Sequence, residues 1–407
     1  MPDKSAALPD IIGWPTGCRA HPGHDLHGII MSPVIKANDY TYQHVGSVYR
    51  YHSFSNNTDC FMPKPTHRHL DDLATELRQA GIHYHHLVPM ADTGLAHDHV
   101  WIHRDGDDWV ARLPKQSQMN LLPEENLAYQ AACYQRTSLG GHTPRLHRVL
   151  LPSEALPRGG LLVDAVRGRL ARLPQDLPQI AAALASLHRL PLPSTEQRAP
   201  LLAPDNPWQA MVDEVRRQAE WLGHAGLSDH VTRCIHRELD ALPRQLDAAD
   251  PRLISFDTHP GNFLVDEHGR AVLVDLEKCR YGLPGADLAH ASLYTSTTWD
   301  VNSQAVLSLD DVADFYRHWQ ADMEKSPSAE TLVACRRAMW LWSLTWCAKW
   351  RAQHLQAKDA QRRGEDWSAE LTDPAVIAHV RDRVEHYLSP DVITKVQQEL
   401  ATLATRL

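Results

Sequence analysis

Between Ser255 and Glu277 the chain carries two carboxylates and an amide at spacings that suit phosphate chemistry. Asp257 and Asn262 bracket a loop tightened by Pro260-Gly261, which runs into the apolar stretch Phe263-Leu264-Val265. Thirteen residues after Asn262, Asp275 closes a second apolar stretch, Ala271-Val272-Leu273-Val274. A β-hairpin with its turn at Glu267 to Gly269 brings Asn262 and Asp275 together at one end. Oxygen ligands of this kind suit Mg²⁺, with phosphates completing its shell. The remaining carboxylate, Asp257, is free to accept a proton from an attacking hydroxyl.

Such a loop needs elements to hold it. Residues 1 to 68, rich in Pro, Gly, His and Asn, read as an N-terminal extension or accessory segment. From His69 the texture changes. Leu70, Leu73 and Leu77 share one face of a helix over 69–79. Short β-like runs follow at 84–89, 99–103 and 109–113, the last two flanking the tight-turn pair Asp105-Gly106. A helix over 124–136 and apolar strands at 149–151 and 161–166 complete a small antiparallel sheet with one inserted helix. From about Asp176 the pattern is mostly helical, at 177–190, 208–222, 228–246, 310–323, 329–356 and 374–387, interrupted only by the hairpin around Asp266 to Gly269.

Composition narrows the partners. Fifty Asp and Glu against 41 Lys and Arg leave a net charge of −9, which argues against a nucleic-acid binder. The longest apolar stretch, Ala338 to Ala348, is about half a membrane span, so no membrane partner is expected. Seven widely spaced cysteines without a CxxC pair fit a reducing cytoplasm. Oligomeric state is not legible.

The stretch from Ser255 to Glu277 resembles the aminoglycoside phosphotransferase/choline kinase family of small-molecule kinases. The family's pattern is H-G-D-x-H-P-x-N, an apolar strand, a turn, and an apolar strand ending in D-x-E. Asp257, His259, Pro260, Asn262, Asp275 and Glu277 match it in order and spacing, and Gly282, Pro284, Asp287, Leu288 and Ala289 continue it. The resemblance covers about residues 75 to 350. It implies an α+β, two-lobed protein-kinase-like fold: an N-lobe at 69–166 built on a small antiparallel sheet, and a helical C-lobe at 167–407. It also implies ATP and Mg²⁺ as cofactors and a small-molecule hydroxyl as acceptor.

By this resemblance Asp257 is the catalytic base, and Asn262 and Asp275 are the metal ligands. Arg112, with Lys115 as the alternative, faces the phosphates. Glu125, with Glu124 as its neighbour, pairs with that cation. Thr93 and Gly94 lie in the phosphate loop, which has no G-x-G-x-x-G pattern, and Asp164 and Val166 form the hinge that reads adenine. Two departures stand out. The family's His-Gly before the catalytic Asp is Ser255-Phe256 here, which puts the rigidity of the loop in question. That departure and the sparse phosphate loop motivate an alternative, a nucleotide-binding pseudokinase.

The 26 histidines raise a third reading, a metal module. Cys18, His21, His24 and His27 have a tempting spacing, but uniform gaps of three with Pro22-Gly23 inside favour an ordinary loop. His188 reads as structural. Trp342, Trp346 and Trp350 are four apart and share a helix face, which reads as core, with a pocket wall as the second option. Asp310, Asp311 and Asp314 read as a solvated helix start rather than an acidic rim.

Overall fold

A computed structural model of the chain describes residues 68–90, 97–115, 117, 119, 121–246, 250–300, 304–362 and 374–407. Residues 1 to 67, with Cys18, His21, His24 and His27, lie outside these.

The N-terminal part begins with α1 (Arg68–Gln79) and the strands β1 (His86–Pro89), β2 (His97–His103) and β3 (Trp109–Pro114). Then come α2 (Pro123–Thr137), β4 (Leu146–Leu150) and β5 (Gly160–Asp164). The five strands form one antiparallel sheet in the order β1-β2-β3-β5-β4. The β2–β3 hairpin pairs His97 with Pro114 and Ile102 with Trp109. Its turn relies on Gly106, at φ +82°, a backbone conformation that side chains disfavour. Leu73 and Leu77 of α1 are fully buried against Val100, Ile102, Ala111 and Leu113 of one sheet face. The other face packs on α2 through Trp101, Val110, Leu161 and Val163.

The second part is mostly helical. It runs through β6 (Gly168–Leu170), α3 (Leu177–His188), α4 (Pro207–Ala219), α5 (Asp229–Asp240) and β7 (Arg252–Ile254). The hairpin strands β8 (Phe263–Asp266) and β9 (Ala271–Leu273) follow, then β10 (Arg280–Gly282), α6 (Pro284–Ser292) and the short α7 (Tyr294–Thr297). The chain ends with α8 (Leu309–Ala321), α9 (Ala329–Arg362), α10 (Pro374–Tyr387) and α11 (Pro390–Leu403). β6, β8 and β9 make a three-stranded sheet, and β7 pairs with β10. The architecture is the two-lobed kinase-like one.

α9 is the spine of the helical part. Trp340, Trp342, Trp346 and Trp350 are all buried in a core shared with α4, α5, α6, α10 and α11. Asp311 completes a capping box with Ser308, and Asp310 and Asp314 pair with Arg406 and Arg317, so these acids serve the start of α8. Among the described residues, Cys133, Cys234, Cys279, Cys335 and Cys347 are free thiols, and no helix is long and apolar enough to cross a membrane.

One buried charge ties α9 to its neighbours. The Arg336 guanidinium, with no exposed surface, donates to Glu399 of α11 at 2.7 Å, to the Ser292 hydroxyl at 2.8 Å and to the Ser292 carbonyl at 3.1 Å. Removing one partner of a buried ion pair strands the other. Arg336→Ala is therefore expected to cost about 3–5 kcal/mol of stability, measured by denaturant unfolding. A loss under about 1 kcal/mol, typical of a surface pair, would show that the contact does not pin α9 to α11.

Candidate active site

The loop at 255–262 is held from below by one carboxylate. Asp287, on the first turn of α6, accepts the Ser255 backbone N–H at 2.8 Å on one oxygen and that of Phe256 at 2.8 Å on the other. Its own carbonyl accepts the Thr258 hydroxyl at 2.7 Å. Behind it, His188 Nε2 lies 3.1 Å from Asp287, and Trp319 Nε1 donates to His188 Nδ1 at 3.0 Å. The imidazole therefore carries its proton on Nε2 and donates it to Asp287, which gives His188 a defined supporting role.

Phe256 occupies the family's glycine position and keeps a glycine-like backbone, at φ +65°. Side-chain packing holds it there. The Arg280 guanidinium lies 3.8 Å from the Phe256 ring centroid, and Trp342 meets the ring edge-on at 5.5 Å. The loop is thus anchored without the family's His-Gly pair.

Asp257, Asn262 and Asp275 converge at the mouth of the β8–β9 hairpin. Phe263 pairs with Leu273, and Val274 N–H donates to the Asn262 carbonyl at 3.0 Å. Asn262 Nδ2 donates to the Asp257 carbonyl at 2.9 Å, while its Oδ1 is buried without a hydrogen-bond partner. An orphaned amide oxygen at the strand end that pairs with the one leading to Asp275 fits a hard cation such as Mg²⁺. Among the described residues no group of three or more His, Cys, Asp or Glu is arranged to hold a metal ion.

Asp257 is buried and accepts the Lys278 ammonium at 2.8 Å. Its other oxygen lies 3.8 Å from His290 Nδ1 and 4.0 Å from His259 Nε2. Burial holds His290 down to about 4, so it is a neutral imidazole at ordinary pH. Glu277 behaves in the opposite sense. Burial first, then the charge of Asp275, pushes it up to about 8.

Arg112 is fully buried and reaches the metal-ligand candidate directly, with Nη2 3.1 Å from Asp275 Oδ1. Lys115 instead pairs with Asp98 at 3.0 Å on a partly exposed edge. The expected partner of Arg112, Glu125, is elsewhere. It is exposed in the first turn of α2, where its carboxylate accepts the Leu122 N–H at 3.2 Å. The geometry replaces the expected pair with a relay. Gln130, on the buried face of α2, accepts from His97 Nε2 at 3.1 Å. His97 Nδ1 faces Arg112 Nη2 at 3.5 Å, and His99 Nε2 accepts from Arg112 Nη1 at 3.1 Å. Burial and the Arg112 charge hold His97 well below its usual range, as a neutral ring that can accept from one side and donate on the other. α2 also clamps the metal-ligand loop: Tyr134 donates to the Val274 carbonyl at 3.0 Å and Tyr129 to the Cys279 carbonyl at 2.7 Å.

Two recesses flank these groups. An apolar slot is lined by Met90, Val110, Pro144, Val163, Asp164, Val166, Leu264 and Val274. Both hinge candidates therefore border it. Burial opposes ionisation of Asp164, but hydrogen bonds from His147 and Arg145 outweigh it and hold the carboxyl down to about 2, so this side chain is committed to the sheet edge. Thr93 and Gly94 lie outside the described residues. On the other side of Asp257, a second recess is lined by His259, His290, Thr295, Ser296, Trp299, Trp342, Ser343, Trp346, Cys347 and Tyr387. Two of the three tryptophans that share a face of α9 are thus wall residues as well as core.

The fold is the kinase-like one. Residues 90–325, more than half of the chain, match the model of the phosphotransferase enzyme family that includes the aminoglycoside phosphotransferases, and the chain belongs to that family. Similar solved structures include an assigned aminoglycoside phosphotransferase from Ralstonia eutropha JMP134, at 13% identity and TM-score 0.53, covering 80% of this chain and 98% of that one. Macrolide 2'-phosphotransferase MphH from Brachybacterium faecium matches at 13% and 0.50, covering 77% and 97%. A spectinomycin phosphotransferase solved with ADP and spectinomycin matches at 13% and 0.50, covering 82% and 98%. At these identities the likeness is one of fold. No curated protein sequence matches the chain significantly.

Two predictions follow from the loop and its acids. Phe256→Gly relieves about 1–2 kcal/mol of left-handed strain but forfeits a buried aromatic worth about 3–5 kcal/mol. A net loss of about 2 kcal/mol is expected on denaturant unfolding, and a stabilised variant would show that packing does not hold the loop. Glu277 keeps its proton up to about pH 8 when folded, against a reference value of 4.5. The folded state binds the extra proton across that window, so stability falls as pH rises through it. Glu277→Gln should track the parent below pH 4.5 and gain on it up to pH 8 in metal-free thermal melts. A pH-independent offset would contradict the protonated carboxyl.

Proposed function

We propose that the chain transfers the γ-phosphate of ATP to a hydroxyl of a small molecule, with Asp257 as the base. The observation that carries this reading is the convergence of Asp257, Asn262, Asp275 and Arg112 between an apolar slot and a polar recess. In this reading adenine enters the slot, and the backbone at Asp164 to Val166 reads its edge. Arg112 faces the phosphates, supported by His97 and His99 in the place assigned to Glu125. Thr93 and Gly94 keep their assignment to the phosphate loop.

Asn262 and Asp275 would hold Mg²⁺, which when bound neutralises phosphate charge. Asn262 is pre-oriented for this because the Asp257 carbonyl fixes its Nδ2. Asp257 orients the acceptor hydroxyl and receives its proton. As the acceptor oxygen bonds to the γ-phosphorus, the bond to the β,γ-bridging oxygen breaks, and that oxygen leaves on ADP with the electron pair. Lys278, on the second oxygen of Asp257, holds the buried carboxylate in place and aims it. Positioning and charge neutralisation thus account for the rate.

The pseudokinase alternative rested on Ser255-Phe256 and the sparse phosphate loop. The Asp287 hydrogen bonds and the packing of Phe256 remove the first reason, and no observation favours it. Asp257→Asn is expected to lower kcat about 10²- to 10⁴-fold. ADP affinity should be retained, read by Mg²⁺-dependent ATP consumption and by ADP titration. Turnover equal to that of the parent would remove Asp257 from the role of base.

A further inference from the structure

The recess beside Asp257 holds more buried polar atoms than the protein itself satisfies. Both ring nitrogens of His259, Thr295 Oγ1 and Ser296 Oγ lack hydrogen-bond partners, and these three residues are only 3–4% exposed. All three line the recess, together with Trp299, Trp342 and Trp346. Buried polar groups are paired in the great majority of cases, so four orphans around one space mark a space built for a ligand.

Three features define that ligand. First, the orphans are two hydroxyls and an imidazole, which ask for groups that both donate and accept; hydroxyls do both. Second, among the described residues the lining contains no carboxylate and no ammonium, and burial keeps His290 neutral. Asp257, 3.8 Å from His290 and 4.0 Å from His259, is already matched by Lys278 at 2.8 Å, so an amine entering here meets a cation at the reacting carboxylate. Third, the space is slim. With its open mouth included it holds only about 380 Å³.

We propose that the acceptor is a compact, uncharged polyhydroxylated molecule: a single sugar ring, a simple glycoside or a cyclic polyol. The inference rests on Asp257 being the base of phosphate transfer. One hydroxyl of the acceptor lies against Asp257, others bond Thr295, Ser296 and His259, and its C–H face packs on the indole rings. A methylated ammonium would be drawn to those rings. A fully methylated ammonium group itself has no N–H or O–H, so the buried hydroxyls and imidazole it lies against would stay unsatisfied, which is costly in an enclosed site. A multi-ring polycation does not find the room.

The test uses the full chain with Mg²⁺ and ATP and two matched panels. One panel is uncharged: myo-inositol, glucose and methyl glucoside. The other is cationic: glucosamine, choline, ethanolamine and kanamycin. ATP consumption should be driven by the uncharged panel, with the best member at least about ten-fold above the best cation in kcat/KM. Ser296→Ala and Thr295→Val should each raise the acceptor KM about three- to ten-fold, with ADP affinity within about two-fold of the parent. Preference for a cationic acceptor overturns the proposal, as does an acceptor KM unmoved by both substitutions.

Should neither panel drive turnover, the transfer reading fails and the recess is judged by binding. Saturable quenching of tryptophan fluorescence by an uncharged member, lost in the double variant, supports the assignment. No saturable change with any uncharged member overturns it.

Discussion

Everything at the centre of this molecule hangs on the Asp287 carboxylate. Its two oxygens take the backbone N–H groups of Ser255 and Phe256, and its own carbonyl takes the Thr258 hydroxyl. One acid on α6 therefore sets the path of the chain on both sides of Asp257. A charge-assisted hydrogen bond to a fully buried backbone is among the stronger polar contacts available to a protein. His188 and Trp319 hold that acid in turn, which links α3, α6 and α8 to the loop. With the path fixed, Asn262 comes under the Asp257 carbonyl and the hairpin carries Asp275 to meet Arg112.

The polar groups around the site divide into two kinds. Arg112, Asp275, Lys278 and Asp257 are charges that pair across elements distant in the chain. His97, His290 and the protonated Glu277 are titratable groups that burial keeps neutral. Alternating the two keeps a dense polar centre from repelling itself before substrate arrives. Buried charges without partners would be far more costly than this arrangement.

Legibility in the sequence followed the range of the contacts. Asn262 and Asp275 flank one hairpin and Asp257 lies on the loop leading into it, so spacing predicts that they meet at one end. The strands at Asp105-Gly106 and the long helix from Ala329 were readable from turn chemistry and periodicity. The partner of Arg112 was not. Glu125 has the residue type and the approximate position, but a first-turn glutamate is drawn to the helix end, and the face of α2 that looks at Arg112 lies a turn further on, at Gln130 and Tyr134. Lys278 had a readable sign, a cation directly after Asp-Leu-Glu, yet its reach to Asp257 depends on how β9 leads into β10. His97 and His99 carry no signal in the sequence, because nothing local distinguishes a buried imidazole from a surface one. Phe256 was read as a weakness, since the packing that holds its backbone comes from Arg280 and from Trp342 on a distant helix.

Trp342 serves two masters, and this shapes how the protein can change. Its ring backs Phe256 at 5.5 Å, its Nε1 donates to Glu214 at 2.8 Å, and its surface walls the recess beside Asp257. A substitution there that reshapes the recess also loosens the loop and leaves Glu214 with Arg280 in place of two partners. New acceptor preferences are therefore more accessible through Thr295, Ser296 and Trp299, which line the recess without supporting Phe256. Lineages that drift in specificity should vary at those three positions first and alter Trp342 only after stability has been gained elsewhere.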